Sequence, residues 1–106
     1  MKRELVMYRL LDSHETLGSA EILYANQKYK DSISRSYYAM FAAARALLAT
    51  IDNDSVNHSG IVSLFNLHFV KTGKVSREMG KLLIEARSLR EKGDYADFLV
   101  ISKDEA

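Results

Sequence analysis

The sequence predicts an all-α fold, an antiparallel bundle built around one central helix. Three observations carry that prediction. The chain of 106 residues has no Pro and five Gly, which suits long helices with few sharp corners. Apolar residues recur at spacings of three and four in successive stretches, the period of a helix with one face in a core. The first break between those stretches is short, so the two helices it joins should pack as an antiparallel hairpin.

The central helix is read over about Lys28 to Ile51. Within it Ile33, Tyr37, Phe41, Ala44 and Leu48 form one apolar stripe. Ala39, Ala42, Ala43 and Ala46 lie beside that stripe. Such small side chains let a neighbour approach toward the lower end of the ~8–10 Å range of helix separations.

The first helix is read over about Lys2 to Tyr24, with Val6, Leu10, Leu17 and Tyr24 as its stripe and Ala20 beside it. His14 falls on that face and reads as a half-buried packing residue. Asn26-Gln27-Lys28 is the break, with Asn26 suited to the left-handed conformation that ends helices. Asp52 to Asn57 is a polar loop in which Ser55 or Asn57 can cap the third helix. That helix carries His58, Ile61, Val62, Phe65 and Phe69 and stops at Gly73. Ser76 offers a cap for the fourth, whose stripe is Met79, Leu82, Leu83, Ala86 and Leu89. Arg77, Lys81, Arg87, Arg90 and Lys92 lie mostly off it and read as a solvated face that could also serve as a weak phosphate-binding surface. Gly93 should end it, and 94–98 should fold back as a loop. Ser102 and Glu105 have the spacing of a capping box. They announce a further helix, so the last helix is expected to be missing from this chain.

The totals bound the rest. Residues 1–106 make one domain. A net charge of +1 gives no bulk argument for nucleic acid, so a basic site must be a local patch. The absence of Cys excludes disulfides and thiolate chemistry and fits a reducing cytosol. No apolar run approaches the ~20 residues of a membrane span, and the start of the chain does not read as a signal peptide. The expected location is cytoplasmic, with no membrane contact.

Arg35, Tyr38 and Arg45 are the polar residues to explain on the central helix. Tyr38 and Arg45 are seven apart and differ by about 20° around it. A guanidinium and a phenol on one surface can hold a phosphate, a carboxylate or a stacked base. They can equally lie at the bundle edge with stems packed and heads in water. His58 begins the third helix, where the helix dipole disfavours imidazolium. A neutral imidazole there can exchange a proton near neutral pH, or simply cap or pack. There is no Gly-rich phosphate loop, no nucleophile elbow and no metal-ligand spacing. No metal or cofactor is expected.

The segment Asp31 to Leu48, followed by Asn57-His58-Ser59-Gly60-Ile61, Phe69-Val70-Lys71-Thr72-Gly73 and Arg90-Glu91-Lys92-Gly93-Asp94-Tyr95, resembles a HEPN domain of the small stand-alone prokaryotic subgroup. The resemblance spans nearly the whole chain. It implies an antiparallel bundle of four or five helices, often dimeric. It also implies work beside a nucleotidyltransferase partner in toxin–antitoxin or defence systems. Some members are metal-independent ribonucleases with an Arg-x4–6-His motif late in the bundle. This sequence departs from that pattern. No Arg lies within ten residues before His58, and the one literal match, Arg9 to His14, is in the first helix.

The expected function is therefore nucleotide or RNA binding in concert with a nucleotidyltransferase, by a homodimer. Arg35 and Arg45 would hold phosphate, Tyr38 would stack or donate a hydrogen bond, and His58 would line the site. One alternative is a ribonuclease with His58 as general base and Arg35 stabilising the phosphorane. The other is a structural interaction module without ligand.

Overall fold

The computed structural model describes residues 2–95 and 102–106. Among these there are α-helices and no strand: α1 (Lys2–Ala25), α2 (Tyr29–Ala49), α3 (His58–Phe65) and α4 (Arg77–Tyr95). A π-turn over Asn66–Val70 prolongs α3. The chain is an all-α bundle with α2 at its centre, in contact with each of the other helices.

The stripe read on α2 is the core. Ile33, Tyr37, Ala44 and Leu48 are buried and Phe41 is half-buried. Tyr37, Ala44 and Leu48 pack with Ile61, Phe65 and Phe69 from α3 and its π-turn, and with Leu83 of α4.

α1 lies antiparallel on α2, and the partner numbers fall on one helix as they rise on the other. Arg9 Nη1 donates to the Arg45 carbonyl (3.1 Å), Ser13 Oγ to that of Ala39 (2.7 Å), and Ser32 Oγ to that of Ala20 (2.8 Å). Reaching a carbonyl across the interface requires close backbones, which the small residues Ala20 and Ala39 provide.

The expected apolar stripe of α1 is corrected here. Leu10 is 44% exposed and Leu17 is 45% exposed, and His14 is exposed. The least exposed positions that carry a side chain are Val6, Arg9, Ser13, Thr16, Ala20 and Leu23. Their spacing alternates three and four, as in a helix seam, but half of them are polar. The seam is satisfied by hydrogen bonds to α2 rather than by apolar burial.

The helix ends are set locally. Lys28 N–H bonds the Leu23 carbonyl (2.8 Å) and Gln27 N–H bonds that of Tyr24 (3.1 Å), a Schellman motif. The left-handed residue in it is Gln27, at φ 63°, and not Asn26. Asn26 instead donates its side-chain amide to the Ile22 carbonyl (2.8 Å). Asp52 (φ 57°) closes α2 in the same way. Asn57 caps α3, its Oδ1 accepting from Gly60 N–H (2.7 Å). Gly73, at φ 79°, follows the π-turn, and Ser76 Oγ accepts from Met79 N–H (3.2 Å) at the start of α4.

On α4 only part of the expected stripe is covered. Leu83 is buried, whereas Met79 and Leu82 are exposed. Gly80 is buried instead, because α4 crosses the π-turn there. A Cβ at Gly80 would stand 2.9 Å from Val70 Cγ2. The helix runs through Gly93 to Tyr95 rather than stopping at Gly93. The rest of the expected loop, 96–98, lies outside the described residues. The capping box does form: Ser102 N–H meets Glu105 Oε1 (3.2 Å) and Glu105 N–H meets Ser102 Oγ (3.3 Å).

Candidate functional site

A cleft of about 700 Å³ opens between α1, α2 and the loop that leads into α3. Tyr8, Arg9 and Asp12 of α1 form one wall, Tyr38, Phe41 and Arg45 of α2 the floor, and Asp54 to His58 the other wall. Tyr38 and Arg45 share this cleft, as their seven-residue spacing requires.

His58 enters from the first turn of α3. Its Nδ1 is 2.5 Å from the Tyr37 hydroxyl, and its ring centroid is 4.2 Å from that of Phe41. Burial lowers its pKa from the ordinary 6.5, and the positive charges of Arg90 and Arg87 lower it further. The imidazole is therefore neutral at neutral pH. Burial pushes the Tyr37 phenol up, more than the charges of Arg87 and Arg90 pull it down. Tyr37 thus keeps its proton.

At the outer end of the cleft two arginines converge on one carboxylate. Arg9 Nη2 and Arg45 Nη2 each lie 3.1 Å from Asp54 Oδ2. The Arg9 side chain is 11% exposed. Burial alone would raise the Asp54 carboxyl, but hydrogen bonds from Arg45, the Ser55 N–H and Arg9 hold it below its ordinary value. The Arg45 Nε is buried and meets no partner among the described residues.

Of the four expected site residues, the fold brings Tyr38, Arg45 and His58 into one cleft. Arg35 is exposed and lines a separate depression of about 350 Å³ with Leu23, Asp31, Ser34 and Tyr38. The reason is angular. Arg35 precedes Tyr37 and Phe41, the two rings nearest His58, by two and six positions, about 160° and 120° around the helix from them. The expected meeting of Arg35 with His58 is therefore replaced by another. Arg90, read as solvated, is half-buried, with its guanidinium 5.0 Å from the Tyr38 ring and 5.8 Å from that of Tyr37. Arg9 and Asp54 were not legible as candidates, because each answers to a partner on another helix or loop, and Arg90 was read only as part of a charged face.

A second, apolar groove of about 410 Å³ lies elsewhere, lined by Leu17, Met40, Leu47, Phe65, Met79 and Leu83 among others. Among the described residues no group of three or more His, Asp or Glu is placed to hold a metal ion. No helix of the described residues is long and apolar enough to cross a membrane.

A family model for the HEPN domain matches residues 6–106. The chain belongs to the HEPN domain family. This HEPN chain is 36% identical over 93 residues to a protein of Methanocaldococcus jannaschii named "Putative toxin MJ0605", covering 88% of the chain and 69% of that protein. It is 47% identical over 76 residues to the UPF0332 protein PH1297 of Pyrococcus horikoshii, covering 72% of the chain but 54% of that protein. It is 33% identical over 103 residues to a UPF0332 protein of Thermotoga maritima, covering 97% and 78%. The matched part thus spans about half to four-fifths of these relatives.

Proposed function

We propose that this HEPN chain is a toxin-type module that binds the phosphate of a nucleotide or RNA in the cleft between α1, α2 and the α3 loop. It would act with a nucleotidyltransferase partner in a toxin–antitoxin or defence setting, as a homodimer in the cytoplasm. The observation that carries the reading is the convergence of Arg9 and Arg45 beside His58. Guanidinium groups bind phosphate through paired N–H donors. Tyr8, exposed at the rim, offers a ring for a base. One face of Tyr38 already carries Arg90, so its hydroxyl is its available group. The toxin names of two Methanocaldococcus relatives support the biological setting.

A second reading, metal-independent ribonuclease, is favoured by one arrangement. His58 and Arg90 meet the same pair of rings, Tyr37 and Tyr38. In that reading Arg90, not Arg35, stabilises the phosphorane charge. Incubation of purified protein with a mixed RNA pool in EDTA tests it, with His58→Ala and Arg90→Gln alongside. Cleavage by the parent and by neither variant supports the nuclease. Nucleotide binding without cleavage leaves the first reading.

A further inference from the structure

We infer that the Asp54 carboxylate is a displaceable internal occupant of an anion site, and that a nucleotide phosphate binds between Arg9 and Arg45 by taking its place. The inference rests on the nucleotide-binding reading of the cleft and names the group that closes it in the free protein.

The geometry is that of an anion site already filled. Two guanidinium groups, one from each helix of the hairpin, approach a single oxygen, Asp54 Oδ2, at 3.1 Å each. Arg45 also reaches Oδ1 at 3.4 Å. Arg9 is fixed in place by a further bond from Nη1 to the Arg45 carbonyl (3.1 Å). Arg9 is therefore held independently of the anion, and the Arg45 guanidinium rests 5.9 Å from the Phe41 ring centroid. Asp54 lies in the loop between α2 and α3 and its side chain is 48% exposed, so water competes for its carboxylate.

A phosphate is the better occupant. As a terminal phosphate it carries more charge than a carboxylate and three acceptor oxygens rather than two; as an internal phosphodiester it matches the carboxylate in both. It could use the buried Arg45 Nε, which meets no partner among the described residues. With Asp54 in place the two arginine charges are offset by Asp54 and Asp12, so the cleft has no net attraction for an anion. Moving the Asp54 carboxylate aside restores it.

The test is calorimetric titration of the parent, Asp54→Asn, Arg45→Gln and the double variant at low salt. The probes are adenosine monophosphate and a six-nucleotide single-stranded RNA. Asn keeps the Oδ1 that accepts from the Ser55 N–H, and circular dichroism checks folding; Asp54→Ser repeats the test with a shorter side chain. The expected result is tighter binding by Asp54→Asn, roughly three- to tenfold or about 0.6–1.4 kcal/mol, lost again when Arg45→Gln is added. A gain with the monophosphate specifies a terminal phosphate, and a gain with the RNA alone specifies an internal phosphodiester. If the parent binds through Arg45 and Asp54→Asn binds no better, the displacement is overturned while the cleft reading stands. If neither parent nor Asp54→Asn binds either probe, both are overturned.

Discussion

The Tyr37 hydroxyl stands 2.5 Å from Nδ1 of His58, tying the middle of α2 to the first turn of α3. Tyr37 is 0% exposed, so its hydroxyl hydrogen needs an acceptor inside the protein. Nδ1 is that acceptor. The neutral His58 ring then carries its proton on Nε2. This assigns the resting chemistry of His58: it presents an N–H donor at Nε2, and it becomes a base only if the Tyr37 bond is given up or reversed.

Tyr37→Phe should therefore change the histidine more than the fold. The ring packing survives, and the lost bond should lower stability by about 1 kcal/mol. Nitrogen-15 chemical shifts of His58 check the tautomer. The parent should show protonated Nε2, and the variant a mixture of both tautomers.

The lowered pKa of His58 gives a pH dependence with a definite sign. The unfolded chain takes up a proton as pH falls through the ordinary value of 6.5, while the folded chain resists it. Stability is fully present above that value and is lost as pH falls from there toward the lower, folded value. The melting temperature should be lower at pH 5.5 than at pH 7.5, and His58→Gln should reduce the difference. The depressed Asp54 carboxyl adds a separate loss below its ordinary value of 3.8. A melting temperature unchanged between pH 7.5 and 5.5 would contradict the burial assigned to His58.

Gly60 should tolerate no side chain. A Cβ there would come 2.8 Å from Ser55 Cβ and 3.0 Å from the Asn57 Oδ1 that caps α3. Gly60→Ala must displace the 54–57 wall of the cleft and weaken the cap, which is worth about 1 kcal/mol. Thermal melts and nucleotide titration should both register the change. Ser63→Ala, at an exposed position one turn further along α3, should move neither by much.

Leu48 and Leu82 separate the real core from the expected one. Leu48 is fully buried, and Leu48→Ala should cost about 2–5 kcal/mol. Leu82 is 46% exposed, and Leu82→Ala should stay within about 0.5 kcal/mol. Denaturant melts of the two variants give the comparison.

The contrast between α2 and α1 explains how far the sequence could be read. On α2 the buried face is apolar, so the three- and four-residue recurrence of Ile33, Tyr37, Phe41, Ala44 and Leu48 located the core directly. On α1 the buried seam is Val6, Arg9, Ser13, Thr16, Ala20 and Leu23. A hydrophobic count finds Val6 and Ala20 but passes over its polar members and selects Leu10 and Leu17 beside it. The same spacing is present, but it is carried in part by Arg9 and Ser13, whose bonds run to α2 carbonyls. The caps at Asn57 and Ser76 were legible because a cap bonds to its own chain within three residues. Tyr38, Arg45 and His58 could be singled out as unusual for their positions. Their neighbours Arg9, Asp54 and Arg90 could not, since only the tertiary fold brings them near. The direction of Arg35 could not be read for the same reason, being set by which face of α2 meets α3.

The cleft as the nucleotide site is tested most directly by titrating nitrogen-15-labelled protein with the six-nucleotide RNA at low salt, beside Arg45→Gln. The expected result is a set of shifts at Arg9, Arg45, Ser55, Asn57 and His58, saturating with one affinity and abolished in the variant. Shifts confined to the apolar groove around Met40, Leu47 and Met79, or no shifts at millimolar RNA, would contradict the account.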